Sequence, residues 1–247
     1  TAASIALEKA SGTAVPPNGR ATRNLILGAN YLQSHLLHFY HLAGQDFIQG
    51  PDTAPFMPRY AKPDLRLSPE VNAVGVDQYV EALEVRAVCH EMVALFGGRM
   101  PHVHGILAGG AAEIPTKEKL VEYAARFKKV RKFIEEKYLP VVYLVGSQYK
   151  DLGTFGQGYR NALCVGVFPL DDEGKDYLFK PGAYQDGKDM PFDVRKVTED
   201  VKYSWFADST SGQPFTKGET RRAPTASSRL PSTTASPWKL ALWRACG

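Results

Sequence analysis

The chain has 247 residues, of which 44% are hydrophobic and 23% are charged, a composition typical of a folded globular protein. The net charge of +4 is too small to indicate nucleic-acid binding by itself. No apolar run reaches the ~18 residues of a membrane span, and the three cysteines (Cys89, Cys164 and Cys246) form no C-x-x-C pair. We therefore expect no direct membrane span, no disulfide framework and no zinc finger.

Three helices are predicted in the first part of the chain from apolar residues that recur at steps of three or four. The first covers residues 20–43. The second begins at Ser68, a side-chain cap followed by a proline and an acid, and ends with Gly97 as its glycine cap. The third runs from Thr116 to about Tyr138 and has a basic outer face. The side chains predicted to point inward are Leu25, Ala29, Leu32, Leu36, Phe39 and Leu42 in the first helix, Val71, Val74, Tyr79 or Val80, Leu83, Val88, Met92 and Leu95 in the second, and Leu120, Ala124, Phe127, Val130 and Ile134 in the third.

The sequence changes character from Pro140 onward. The runs VVYLV and ALCVGVF are short, β-prone and bounded by Gly, Pro and Asp, and DVRKVTEDVKYSWF partly alternates. We predict an α+β fold that is mainly α, with a helical core over about 20–138 and an irregular, β-containing part over about 139–220. Residues 221–247 are rich in Ser, Thr, Ala, Arg and Pro, and their composition predicts a disordered tail.

Three histidines at three-residue spacing, His35, His38 and His41, lie in the segment SHLLHFYHL. Neighbours at this spacing share one face of an α-helix, which raises the question of a metal site. Metal ligation more often uses residues i and i+4 or the H-E-x-x-H pattern, and neither is present. The spacing therefore favours structural histidines over metal ligands.

Three further stretches have more than one interpretation. In CHEM, residues 89–92, successive positions point in different directions on a helix, so Cys89 is interpreted as a core residue. GGRMPHVHG, residues 97–105, places two histidines in a loop, where they either serve function or bond to the backbone. RFKKVRKFIEEKY, residues 126–138, has basic and aromatic residues like a nucleic-acid face, but its acids favour the solvated side of an amphipathic helix. We expect no nucleic-acid partner.

Four stretches, taken together, resemble the large subunit of nickel–iron hydrogenases: RNLILGANYLQSHLLHFYHL, GPDTAPFMPRY, HEMVALFGGRMPHVHGILAGG, and GETRRAP after YSWF. The resemblance extends over residues 1 to about 220 and implies the helical core of that subunit as the fold. It covers only part of such a subunit. Because the sequence starts at Thr1 without a methionine or the layout of a secretory signal, we expect a processed chain or an internal part of a longer one.

The resemblance implies reversible oxidation of H2 at a nickel–iron centre that carries diatomic ligands. Protons are released there, and electrons pass to iron–sulfur clusters in a small subunit, the partner in a heterodimer. The family holds its metals through four cysteines, in an R-x-C-G-x-C and a D-P-C-x-x-C-x-x-H pattern, and neither pattern occurs here. We therefore expect this chain to bind no metal and to be inactive alone.

The resemblance also assigns roles to four polar residues. Ser34 matches a position where some members have an aspartate over the active site, and a serine can order a ligand by hydrogen bonding but cannot act as a base at neutral pH. His35 and His38 would be polar groups beside the metals that do not ligate them. His102 matches a histidine near the closest cluster of the partner, where an imidazole N–H would raise the cluster potential.

The tail also fits a shifted reading frame. Back-translation of PWKLALWRACG, residues 237–247, permits the string MEVGPLARMW in another frame, and this string resembles a stretch that the family carries at this point. Tryptophan has a single codon and fixes several of these bases. We predict that residues 1–220 form a partial hydrogenase domain and that 221–247 are an out-of-frame tail in which Cys246 is accidental.

Two other functions stay open. A non-catalytic subunit related to that of the quinone-reducing respiratory complex shares the fold and has lost the metal ligands, so the missing cysteines would then be genuine. HEMVALFGGRMPH and the re-read MEVGPLARMW resemble the hydrogenase branch instead. A helical interaction module with a basic face is the third interpretation. The sequence favours no particular compartment.

Overall fold

The computed structural model describes residues 1–58, 64–158, 160–191, 193, 196–200, 207, 209, 211–213, 230–233, 236–237 and 239–240. The chain divides into two compact units, Thr1–Phe155 and Gly156–Gly247. The first unit is mainly helical, and the regular elements described in the second are short strands. The mainly helical α+β class predicted from the sequence is confirmed.

The first unit is built on helices that share one core. The core contains Ile26 and Leu36 of the second helix, Met92 and Phe96 of the third and Val130 of the fourth, each at most 1% exposed. In the described part of the chain, no helix is both long and apolar enough to cross a membrane. The elements are α1 (Ala2–Ser11), α2 (Pro17–Leu36), α3 (Pro69–Gly97), α4 (Lys117–Phe133), α5 (Leu139–Gln148) and a hairpin of β1 (Ile106–Leu107) and β2 (Gly110–Ala111).

Both predicted helix starts are confirmed. The Ser68 Oγ accepts a hydrogen bond from the Val71 backbone N–H at 3.3 Å, and Thr116 Oγ1 caps α4 in the same way. These bonds satisfy backbone donors that have no partner inside the helix. At the other end, α3 includes Gly97, and the cap is Gly98 with φ 82°. The glycine that needs the left-handed backbone is therefore one residue later than predicted.

The inward face of α3 was predicted only in part. Tyr79 and Met92 are buried, but Val74, Val80 and Leu83 are 48%, 55% and 46% exposed. Apolar side chains surround this helix, and a helix of that kind is usually covered on several sides. Periodicity alone therefore could not decide which side meets α2 and α4.

The inward face of α4 is also rotated relative to the prediction. Val130 is buried and Ile134 packs against the core as predicted. Tyr123 and Phe133 also lie in the core, whereas Leu120, Ala124 and Phe127 are exposed. The sequence allows this rotated inward face, because α4 also has apolar residues on either side of the face that was predicted to be buried.

Two segments that continue the α-helices are π-helical. Leu37–Ala43 follows α2, and Ile134–Tyr138 joins α4 to α5. They meet through aromatic side chains, because the rings of Phe39 and Tyr138 are 5.4 Å apart between centroids in an edge-on contact. Leu42, predicted to point inward, is 61% exposed and Tyr40 is buried. The α-helical period does not hold in a π-helix, whose hydrogen bonds join residues five apart.

The run VVYLV is helical, which corrects the predicted strand. Pro140 lies in the first turn of α5, where its missing N–H removes no helical hydrogen bond. Val141 is buried and Val145 packs against the core. The proline therefore begins a helix, and the helical part of the chain extends to Gln148.

A buried ion pair ties α1 and α2 to the β1–β2 hairpin. The side chains of Glu8 and Arg23 are each 8% exposed. The Arg23 Nη1 and Nη2 groups donate to the two Glu8 carboxylate oxygens, and Nε donates to the Gly110 carbonyl at 2.8 Å. The Gly109 N–H donates to Glu8 Oε1 at 2.7 Å. The Arg23 hydrogen bonds outweigh burial and hold the pKa of the Glu8 carboxyl below its ordinary value.

The second unit contains short strands, and the run ALCVGVF supplies β3 and β4 as predicted. Leu163 of β3 lies opposite Ala183 of β6 in an antiparallel pair, and both side chains are buried. Most of the predicted tail, including Cys246, lies outside the described residues. The strands are β3 (Ala162–Cys164), β4 (Val167–Pro169), β5 (Tyr177–Phe179), β6 (Gly182–Gln185), β7 (Lys188–Met190) and β8 (Val197–Asp200), with β9 (Leu230–Thr233), β10 (Ser236–Pro237) and β11 (Lys239–Leu240) in the tail.

Candidate functional site

Ser34, His35 and His38 lie close together along the outer side of one helical segment. Ser34 and His35 are in the last turn of α2, and His38 is in the π-helical continuation. All three side chains are exposed. The interleaved residues Gln33, Leu36 and Tyr40 are buried and anchor the inner side in the core.

His41 differs from the other two histidines of this segment because it is half-buried and bonded on both nitrogens. Its Nδ1 accepts a hydrogen bond from Arg86 Nη1 at 3.3 Å, and its Nε2–H donates to the Tyr79 carbonyl at 3.1 Å. These two bonds require the neutral imidazole with its proton on Nε2. Burial, assisted by the Arg86 charge, lowers the pKa of His41. His41 is thus a structural histidine, and the π-helix separates it from the face of His38.

One turn further along α3, His90 lies in the field of the same arginine. Burial and the Arg86 charge lower the pKa of His90. The buried atoms Arg86 Nε and His90 Nε2 have no hydrogen-bond partner among the residues that the structure describes. No acid in that part of the chain forms an ion pair with Arg86. We call His41, Arg86 and His90 the Arg86 cluster.

The loop GGRMPHVHG folds back onto the end of α3. The backbone N–H groups of His104 and Gly105 donate to the Gly97 carbonyl at 3.0 and 2.9 Å. A Cβ on Gly105 would lie 2.4 Å from the Phe96 carbonyl oxygen, so the approach requires glycine. His102 has φ 61°, its carbonyl accepts a hydrogen bond from Arg99 Nε at 2.9 Å, and its side chain is exposed.

The described cysteines do not form a metal site. Cys89 lies in the core, as predicted, and burial raises the pKa of its thiol to about 12, so it stays protonated at neutral pH. Cys164 is half-buried in β3. Over the described ranges, no group of three or more His, Cys, Asp or Glu side chains could hold a metal ion. These residues therefore do not fit the four-thiolate ligand set of a nickel–iron centre.

Comparison with known proteins decides the family. The sequence profile described as nickel-dependent hydrogenase matches residues 1–53 and 47–235. The chain belongs to the nickel-dependent hydrogenase family. The resemblance drawn from the four sequence stretches is confirmed by this match.

Hydrogenase large subunits of several organisms match across most of the chain. The chain is 53% identical over 233 residues to the periplasmic [NiFeSe] hydrogenase large subunit of Desulfomicrobium baculatum. This alignment covers 91% of the present chain and 45% of that protein. It is 25% identical over 272 residues to the hydrogenase-2 large chain of Escherichia coli K12, covering 85% of this chain and 48% of that protein. The oxidised Ni-Fe-Se hydrogenase structure of D. vulgaris Hildenborough superposes with a TM-score of 0.84 at 66% identity, over 90% of this chain and 47% of that chain. The chain spans about half the length of these relatives.

Sequence reasoning found the hydrogenase family but missed the two polar clusters of the first unit. Glu8 and Arg23 are 15 residues apart on two different helices, and no periodicity relates them. Arg86 gives a weak signal, since it is the single basic residue in the apolar-rich stretch ALEVRAVC. An arginine in such a stretch does not by itself predict a buried charge, because an arginine on a helix is ordinarily solvated.

Proposed function

We propose that this chain is part of the catalytic large subunit of a nickel–iron hydrogenase. The complete enzyme oxidises H2 reversibly, releases protons and passes electrons to an iron–sulfur small subunit in a heterodimer. The 53% identity to a [NiFeSe] hydrogenase large subunit across 91% of the chain carries this proposal. Because the chain spans 45% of that relative, the activity belongs to the complete subunit.

The metal centre is held by ligands outside the described residues. A nickel–iron centre with diatomic ligands supplies the redox chemistry when bound. Cys89 is a buried thiol rather than a thiolate, so it is no substitute for the ligands of the family. We expect the 247-residue chain to retain no nickel and to be inactive by itself. Two relatives carry selenium in their names, and we infer that the complete centre contains selenium as well.

The contribution of this chain is the polar environment beside the metals and beside the partner's nearest cluster. Ser34, His35 and His38 are exposed in the described part of the chain, so they are available to a centre formed with the rest of the subunit. Ser34 both donates and accepts hydrogen bonds there without carrying charge. The exposed His102 offers an N–H to a cluster of the small subunit.

The first experiment compares the complete large subunit, produced with its small subunit, against the 247-residue chain. We expect nickel, iron and selenium in the complex by elemental analysis and H2-dependent reduction of a viologen dye. The 247-residue chain should show neither nickel nor dye reduction. A folded complex without nickel and without H2 uptake would contradict the proposal.

Sequencing the source DNA through the codons of Thr220–Gly247 and on both sides tests the same proposal genetically. We expect R-x-C-G-x-C upstream and, after a corrected frame, D-P-C-x-x-C downstream. An unbroken frame with neither motif would contradict the enzyme and leave the non-catalytic structural subunit.

A further inference from the structure

We propose that Arg86 binds a carboxylate side chain that belongs to the part of the large subunit outside these 247 residues. The contact would lie inside the complete subunit, between α3 and a segment that covers it. This inference rests on the proposed function only in requiring that the chain is part of a longer subunit.

The guanidinium of Arg86 lacks a counter-ion among the described residues. An arginine side chain stays protonated in proteins. Its one hydrogen bond in the described part of the chain joins Nη1 to the neutral Nδ1 of His41 at 3.3 Å, and a neutral acceptor does not compensate the charge. Its Nε is buried and unpartnered. A charged group with a buried unsatisfied donor is unfavourable unless an acceptor is supplied.

The described groups around Arg86 offer no negative charge. His41 is neutral, because both of its ring nitrogens are committed to the bonds with Arg86 and Tyr79. Of the acids on neighbouring turns of α3, Glu81 pairs with Lys137 and Glu91 pairs with Arg126. Glu84, two residues before Arg86, points to a different side of the helix. An oxygen acceptor for Arg86 Nε must therefore come from elsewhere.

Apolar side chains beside the Arg86 cluster indicate what supplies this acceptor. Leu83 lies one turn before Arg86 on α3 and is 46% exposed, and Leu42 follows His41 and is 61% exposed. Large apolar side chains in such positions mark a surface that another segment covers. The chain spans 45% of the Desulfomicrobium baculatum relative, so more than half of a complete subunit is available to cover it. A covering segment with one Asp or Glu would bury these apolar side chains and would also supply the acceptor for the Arg86 guanidinium.

The structure of the complete heterodimer tests the contact directly. We expect an Asp or Glu oxygen from outside residues 1–247 within hydrogen-bond distance of Arg86 Nε. A water, a free anion or a residue of the 247-residue chain in that place would overturn the proposal.

The substitution Arg86→Met tests the same contact by stability in the complete complex. There it leaves a buried carboxylate without its partner, and we expect the melting midpoint to fall by roughly 2–5 °C, because the shift per kcal/mol becomes smaller as a protein becomes larger. Arg131→Met is the matched control, since Arg131 is 63% exposed and pairs with Glu135 at 2.8 Å, and it should have little effect.

Equal shifts of the midpoint in the Arg86 and Arg131 variants would overturn the proposal. A double variant in the complete complex tests the pair itself. Removing the carboxylate identified in the structure together with Arg86 should restore most of the lost midpoint, whereas additive losses would contradict the pair. Neither readout uses H2 oxidation, so a folded but inactive complex would count against the proposed function and leave this test intact.

Discussion

At the scale of single residues, the buried Glu8–Arg23 pair joins α1, α2 and the β1–β2 hairpin. Both side chains are 8% exposed, so each charge has left water and depends on the other. A pair of this kind does not by itself make a fold more stable than an apolar contact would, but removing one partner leaves an uncompensated charge. Its value therefore lies in fixing the relative positions of three elements.

Replacing Glu8 with Gln should destabilise the protein by about 3–5 kcal/mol, because Arg23 would stay buried without its carboxylate. The measurement is the unfolding transition of the complete complex. Glu113→Gln is a suitable control, since Glu113 pairs with Lys119 at 2.7 Å but is 40% exposed, and it should change little. Similar effects of the two substitutions would show that the Glu8 contact is not special.

The Glu8 carboxylate also makes the stability of the protein depend on pH. Its pKa in the folded protein is lowered from the ordinary 4.5, so its contribution is complete above that value and is lost as the pH falls through the folded pKa. Wild type should therefore lose more stability than Glu8→Gln as the pH falls below about 4.5. If the stabilities of wild type and Glu8→Gln changed in parallel with pH, the lowered pKa of Glu8 would be contradicted.

His102→Leu should slow electron transfer to a dye more than hydrogen–deuterium exchange in the complete enzyme. The reason is that the imidazole N–H is proposed to act on the partner's cluster and not on the metals. His104→Leu is the matched control, because His104 is also exposed in the same loop. Both activities should be measured on one preparation, and an equal loss of both in the His102 variant would contradict the role.

At the scale of elements, the sequence predicts the positions of the main helices better than their faces. The caps Ser68 and Thr116 were predictable because capping is local chemistry. The buried sides of α3 and α4 were not, because apolar residues occur on more than one side and packing chooses among them. The change from α to π geometry after Leu36 has no sequence signal that we recognise, and it moved Leu42 outward and His41 inward.

The loop after α3 shows where glycine is required. In Gly105→Ala, the new Cβ would meet the Phe96 carbonyl at 2.4 Å, and we expect a loss of about 1–3 kcal/mol. Gly146→Ala is the control, because Gly146 lies inside α5 with no atom within 4 Å of its added Cβ. It should gain about 0.5–1 kcal/mol from helix propensity. Thermal melting of both variants checks the opposite signs.

At the scale of the whole molecule, the helices of the first unit expose several large apolar side chains. The 48–62% exposed residues Val74, Val80 and Val121 lie on helices whose other sides form the core. The chain spans 45% of the Desulfomicrobium baculatum relative, and we infer that other segments of a complete subunit cover these surfaces.

The 247-residue chain should consequently be poorly soluble or loosely packed when produced alone. We expect binding of the dye ANS, retained far-UV circular dichroism and a broad thermal transition. The complete heterodimer should bind little ANS and melt sharply. A sharp two-state transition of the isolated chain would argue against a fragment.

The π-helical segment Leu37–Ala43 also has a consequence for reading related sequences. Each residue of an α-helix advances the chain by about 100° around the axis, and a π-turn inserts extra length without interrupting the rod. The segment therefore changes the direction in which the side chains of HFYHL point around the helix axis, relative to those of SHL. The side chains that follow its start face directions that an unbroken α-helix would not give them, as the exposed Leu42 and the half-buried His41 show. A related sequence that keeps SHLLHFYHL but continues as an α-helix would therefore present different side chains to the outside.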